Sequence, residues 1–213
     1  MSLYAQLENG EIFKYPLSLY DIQSFHSNTS FVAGQLLLPP GYVEVVRHNV
    51  PTRLWHQKFV ETNPIYNEED NRWHQNFEII EFTDNEKLEY ITNLKKIKNT
   101  TINDWWQQAN FNSFTYQHKQ IDASLMARAT IDATNGIISN TGKLPNDWLG
   151  NWKTKDNDWI TIDTIDEWNA FYNALYVQDI ENYKKAQTLK EYLWSEECNT
   201  PELIDNICWN EGE

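Results

Sequence analysis

Apolar and polar residues alternate with a period of two near the start of the chain, and apolar residues recur at three- and four-residue steps further on. Leu3, Ala5 and Leu7 alternate, then Phe13 and Tyr15, on either side of Asn9-Gly10. Asn-Gly tolerates the positive φ of a two-residue turn, so residues 3–15 predict a β-hairpin, with Pro16 as its end. Ser18 opens a short helix with Leu19, Ile22 and Phe25 on one side. HSNTS and Pro39-Pro40-Gly41 are breaks, and the β-branched run YVEVVRH after them predicts a strand. LWHQKFVET and RWHQNFEIIEF predict two or three more strands around a polar turn segment, NPIYNEEDN. Residues 1–82 thus read as a small, mostly antiparallel sheet with one helix.

The period then lengthens. Thr83 and Glu86 form a capping box. Leu88, Ile91, Ile97, Ile102, Trp105 and Trp106 carry a helical stripe to about residue 108, with a polar NTT in its middle. FNSFTYQHKQID predicts a second hairpin turning at Gln117-His118. Asp122 or Ser124 caps a helix reaching about Ser139, with Met126, Ala129, Ala133 and Ile137 on one face. Residues 152–162 predict a third hairpin, NWKT-KDN-DWITI. Thr200 and Pro201 start a last short helix with Leu203, Ile204 and Ile207 inward.

The longest uninterrupted pattern is IDEWNAFYNALYVQDIENYKKAQTLKEYL, Ile165 to Leu193. Trp168, Phe171, Tyr172, Leu175, Tyr183, Ala186, Leu189 and Leu193 share one face. Thr164 and Glu167 supply a capping box. Such a helix is about 43 Å long at 1.5 Å per residue. Its stripe breaks around Gln178 and Asp179, where a coiled-coil seam would want apolar residues. It therefore reads as the spine of a lobe, packed on the 152–162 hairpin, the 123–139 helix and the C-terminal turn. From about Tyr183 its last turns are expected to project toward a partner. The architecture expected is α+β: an N-terminal β-rich lobe over 1–82, a bridging helix over 83–108 and a C-terminal α+β lobe over 109–213.

Composition changes this picture little. The 213 residues are 40% hydrophobic with ten Trp and seven Gly, which is globular. Charge is more informative. The net charge of −14 is uneven: −5 over 1–82, +2 over 83–155 and −11 over 156–213. That balance argues against phosphate neutralisation, so nucleic acid is not an expected partner. No apolar run approaches the length of a membrane span, and no signal peptide is expected from the opening residues. Cys198 and Cys208 do not make a disulfide framework and read as two free thiols.

Candidate chemistry is sparse. His56 and His74 each follow a Trp on neighbouring predicted strands and would face each other if those strands paired, but no third metal ligand is fixed by spacing. Asp156-Asn157-Asp158 begins like a calcium loop yet lacks its Gly and Glu, so a polar hairpin turn is the expectation. No Gly-rich phosphate loop, G-x-S-x-G or H-E-x-x-H occurs. No catalytic residue, metal or cofactor is expected, and the chain reads as a non-enzyme. Tryptophans crowd the second half. Buried, they are core; exposed, they make sugar platforms or protein hot spots. The residues expected to contact a partner are Trp105, Trp106, Trp148, Trp159, Tyr183, Leu189 and Leu193.

FTYQHKQIDAS, the helix with Arg128 and Ile131, WKTKDNDWITI and the ending QTLKEYL together resemble a bacteriophage domain of unknown function, DUF4376-like, found beside tail-fibre and tail-fibre-assembly genes. The family's hairpin turn suggests a Gly where Gln117-His118 stand. KYPLSLYDIQSFHSNTSF is similar to the opening of phage tail accessory proteins, and RWHQNFEIIEFTDNE to the segment joining the two parts. The resemblance implies a phage tail protein working through protein–protein contacts. It would be a fibre-assembly chaperone or a small component of the tail, baseplate or fibre. The partners implied are tail-fibre or other tail and baseplate proteins, with a symmetric homo-oligomer in the virion. The setting implied is the virion tail, or the host cytoplasm during assembly. The alternative is a carbohydrate-contacting module at the tail tip using exposed tryptophans.

Overall fold

The structure is a computed structural model and describes residues 2–26, 38–50 and 52–210. The architecture is α+β, and the chain forms two compact units, Met1–Lys87 and Leu88–Glu213. Most of the expected break at HSNTS, and the whole NTSF motif, lie outside the described residues. Among the described residues no helix is long and apolar enough to cross a membrane.

The first unit is a five-stranded sheet with strands β1 (Leu3–Glu8), β2 (Glu11–Leu17), β3 (Tyr42–Val46), β4 (Gln57–Asn67) and β5 (Arg72–Glu81), in the order β2-β1-β3-β5-β4. The pairings are antiparallel except β3 with β5, which run parallel, with β4 on the far side of β5. Asn9 and Gly10 take the expected positive φ, 53° and 85°. Strand β2 runs on through Pro16 to Leu17. An edge strand tolerates the missing N–H. Helix α1 (Leu19–Phe25) is capped by Ser18, with Asp21 completing the box. It buries Ile22 with Tyr4, Leu17 and Tyr42. The segment expected as a turn, NPIYNEEDN, is mostly strand. A register shift between Thr62 and Ile65 absorbs Pro64, and only residues 68–71 turn, with Asn71 at φ 53°.

Helix α2 (Asp84–Asn112) begins in this unit. Thr83 Oγ1 accepts from the Glu86 N–H at 3.3 Å, and the Glu86 carboxylate accepts from the Thr83 N–H at 2.8 Å and from Lys58 Nζ. The Lys58 ammonium and the Thr83 donors hold the Glu86 carboxyl at a pKa of about 2, below its ordinary 4.5. A carboxylate depressed in the folded state supports the fold fully above its unfolded pKa. That support is lost as pH falls through the folded value. Acid titration of the start of α2, followed by hydrogen exchange, should therefore show a weakening between pH 4.5 and about 2 that Glu86→Gln removes. An unchanged acid profile in the variant would contradict this role.

The second unit holds the rest of α2, the hairpin β6 (Ser113–Tyr116) and β7 (Lys119–Asp122), α3 (Leu125–Thr141), the hairpin β8 (Asn151–Lys153) and β9 (Trp159–Thr161), α4 (Ile165–Trp194) and α5 (Pro201–Asp205). Gln117 and His118 both adopt positive φ, 49° and 62°. A two-residue turn with both residues left-handed matches strand twist without a Gly. Helix α2 runs four residues past its expected end. Its last carbonyls find tertiary donors, Asn110 O from Arg128 and Asn112 O from the Ala123 N–H.

The core gathers Phe114, Ile121, Ile131, Ile160, Trp168 and Phe171 with their neighbours. The face expected to be inward on α3 is the outward one. Met126, Ala129, Ala133 and Ile137 are exposed, and Ile131, Thr134 and Ile138 are buried. Polar residues stand on the true inner side because partners await them there. Asn135 Oδ1 accepts from Trp168 Nε1 at 3.3 Å.

Helix α4 spans the residues expected, with Thr164 and Glu167 closing the capping box. Its last turns do not project. Ala186 and Leu193 are fully buried, and Lys95 of α2 donates to Ser195 O at 3.1 Å. Lys98 donates to the carbonyls of Asp205 and Ile207 at 3.2 Å each, so α2 supplies cations to the C-terminal ends of both α4 and α5.

Candidate functional site

The break in the α4 stripe organises the middle of the second unit. Gln178 Nε2 donates to Ser113 O at 2.6 Å, and Gln178 Oε1 accepts from the Thr115 N–H at 3.3 Å. One carboxamide thus occupies the outer edge of β6 as a neighbouring strand would. Asp179, the next residue, receives both arms of the Arg128 guanidinium at 2.7 Å each. Arg128 Nε donates to Ala123 O at 3.1 Å, and its Cζ lies 5.4 Å from the Phe111 ring centre. Asn182 reaches Asn110 at 2.8 Å. Polar side chains from α4 therefore fasten the end of α2, the β6–β7 hairpin and the start of α3 to one another.

A groove of about 960 Å³ opens above this joint. Trp105, Gln108 and Phe111 of α2 form one wall, and Trp209 and Asn210 after α5 border it. Ser113, Thr115 and Gln120 of the hairpin, with Gln178, line its floor, and Ala109, Asn112 and Cys208 complete the lining. Gln120 is fixed between the hydroxyls of Ser113 and Thr115, at 2.9 Å to each. A second groove of about 830 Å³ lies on the other side of the 208–210 segment, bordered by Leu189, Tyr192, Leu203 and Ile207.

Of the residues expected to meet a partner, Trp105 lines the first groove and Leu189 the second. Trp106, one residue on and so about 100° around the helix, turns instead to Tyr183, ring centres 6.0 Å apart. Its Nε1 is buried without a hydrogen-bond partner among the described residues. Tyr183 and Trp159 are exposed but line neither groove. Trp148 is structural: its Nε1 donates to Ile162 O at 2.7 Å and its ring meets Trp168 edge-on at 5.4 Å. Leu193 is fully buried and cannot be a contact residue of the folded chain. Sequence periodicity missed Phe111, Gln108, Trp209 and the hairpin amides. Uncharged amides carry no periodic signal, Phe111 stands beyond the end expected for α2, and Trp209 lies after the last helix.

The remaining candidates resolve into structure. His56 precedes β4 and bonds Glu81 at 2.6 Å, whereas His74 lies at the far end of the β4–β5 hairpin against Asp70 and His48. The two imidazoles do not face each other. Among the described residues no cluster of His, Cys, Asp or Glu is placed to hold a metal. Asp156-Asn157-Asp158 is the expected turn. Asn157 has φ 66°, Thr154 bonds Asp156, and Lys119 pairs with Asp158, holding that carboxyl below its ordinary pKa. Cys198 and Cys208 are free thiols, and burial pushes the Cys198 thiol up despite Lys95 and Lys98.

Residues 93–207 match the family described as a domain of unknown function, DUF4376. The chain belongs to the DUF4376 family. No curated protein and no solved structure matches it. The DUF4376 match begins within α2 and ends just after α5. It therefore covers every element that builds the polar joint, and Trp209 falls just outside it.

Proposed function

We propose that this DUF4376 protein is a non-enzymatic bacteriophage tail protein acting through protein–protein contacts. It either assists folding and attachment of a tail fibre or remains in the virion as a small tail, baseplate or fibre component. Its setting is then the host cytoplasm during assembly or the virion tail, where it would repeat with the symmetry around it. Support comes from the phage-like motifs spread over both units. The observation that carries the contact role is the second groove. Leu189, Tyr192, Leu203 and Ile207 offer an apolar, partly open surface of the kind that receives a partner's anchor side chains.

Co-expression with the tail-fibre protein of the same phage should yield a co-purifying complex that Leu189→Asp disrupts. A protein that stays alone while the fibre folds normally would sink this reading. Electron microscopy of intact virions then separates assembly factor from component by the absence or presence of the chain.

A further inference from the structure

The first groove differs in kind from the second. None of its twelve lining residues is charged, in a chain whose net charge is −14. Its size falls near the top of the range of about 300–1,000 Å³ typical of small-ligand sites. Three aromatic rings border it, and a basic side chain holds each one: Lys98 at 5.7 Å from Trp105, Arg128 at 5.4 Å from Phe111 and Lys185 at 4.9 Å from Trp209. Between them lie carboxamides and the hydroxyls of Ser113 and Thr115. Most of the amides are fixed by neighbours. That of Gln108 is exposed and has no hydrogen-bond partner among the described residues.

We infer that this groove binds a neutral oligosaccharide. A sugar ring presents a C–H face that stacks on an aromatic ring. It also carries hydroxyls that both donate and accept, as a carboxamide does with its N–H₂ and C=O. An uncharged lining asks for no counter-charge and imposes no penalty for burying one. A peptide partner is disfavoured by two observations. Strand addition to the hairpin is blocked, because Gln178 fills the edge of β6 and the Lys155 N–H takes Gln120 O of β7 at 2.8 Å. The one aliphatic lining residue is Ala109, so no pocket awaits an aliphatic anchor. A nucleic acid would need cations facing its phosphates, whereas Lys98, Arg128 and Lys185 lie against the rings and outside the lining.

This goes beyond the tail-protein reading and stands or falls separately from it. The test is titration of the full chain with neutral tetra- to hexasaccharides of glucose, galactose or N-acetylglucosamine. Binding is followed by tryptophan fluorescence and by the indole N–H resonances of Trp105 and Trp209. At least one series should shift both resonances. Trp105→Ala should weaken that binding about tenfold. Gln108→Ala, an exposed change that leaves the fold alone, should weaken it about threefold. Trp159→Ala, exposed but outside the groove, should leave it unchanged. The inference is overturned if no neutral oligosaccharide moves either resonance up to about 10 mM. Binding indifferent to both Trp105→Ala and Gln108→Ala overturns it, as does occupation of the groove by a polar peptide or an anionic glycan alone. A protein that captures the fibre but no sugar overturns this inference and leaves the tail-protein reading intact.

Discussion

Trp168→Ala should destabilise the 88–213 unit by about 3–5 kcal/mol, the range for truncating a large buried aromatic. The side chain is fully buried, with Phe171 at 5.5 Å, Trp148 at 5.4 Å and Trp152 at 6.2 Å between ring centres. It belongs to the first turns of α4, directly after the β8–β9 hairpin, so its removal opens the contact between hairpin and helix. Domains of this size are stable by only about 5–15 kcal/mol, so the loss takes a large share. Denaturant unfolding and the near-UV dichroism of the stacked indoles both read it. Trp168→Phe keeps most of the volume but strands Asn135, and should lose less. Trp159→Ala, at a ring 55% exposed, should stay within about 0.5 kcal/mol of the wild type. Unfolding midpoints for Trp168→Ala and Trp159→Ala that coincide would show that the cluster does not anchor the unit.

Where local chemistry alone decides an element, the sequence announces it. Asn9-Gly10, the Thr164–Glu167 box, Ser18, and Pro201 after Thr200 sit where their φ values or side-chain oxygens are needed. The long α4 stripe is legible for the same reason: five of its eight expected positions are buried. The α3 face was not legible. Ala129 and Ala133 satisfy a helical period on either side of the wheel. The inward Thr134 and Asn135 look like surface residues until Trp168 is known to lie opposite. The same holds for β4. Asn63-Pro64 reads as a turn, and only the register against β5 shows that the strand passes through it on a bulge.

The groove was the least legible feature, because its ingredients come from α2, the β6–β7 hairpin, α4 and the segment after α5. Trp105 was recognisable as an aromatic, but nothing near it in sequence tells it from Trp106, which faces the other way. The lining amides lie up to about a hundred residues apart and acquire a common purpose only when α4 brings them together. Periodicity finds what a helix buries. It does not find what several elements leave open between them.

Removing the Arg128 side chain should be the most damaging polar change in the molecule. The guanidinium makes four hydrogen bonds, two to Asp179 and one each to Asn110 O and Ala123 O. It is 15% exposed and its partner carboxylate 30%. Arg128→Ala leaves a half-buried carboxylate and two backbone carbonyls without their donor. Losses of about 3–5 kcal/mol follow when one member of a buried pair is removed, and the partial exposure of Asp179 places the expected value near the lower end. Arg128→Lys keeps the charge but not the planar fork, so it should recover less than half. Asp179→Leu, which strands a buried guanidinium, should cost a similar amount. The double variant Arg128→Met/Asp179→Leu removes both charges and should be more stable than either single one. A double-mutant cycle whose single variants are Arg128→Met and Asp179→Leu should therefore give a coupling of about 2 kcal/mol. Hydrogen exchange supplies the structural readout. The amides of β6 and β7 should open first in Arg128→Ala, because Gln178, which guards the β6 edge, is adjacent to Asp179. Additive single-variant losses would mean that the charges are solvated independently. In that case the interrupted stripe of α4 would be a gap between two apolar segments, and the walls of the groove would need another support.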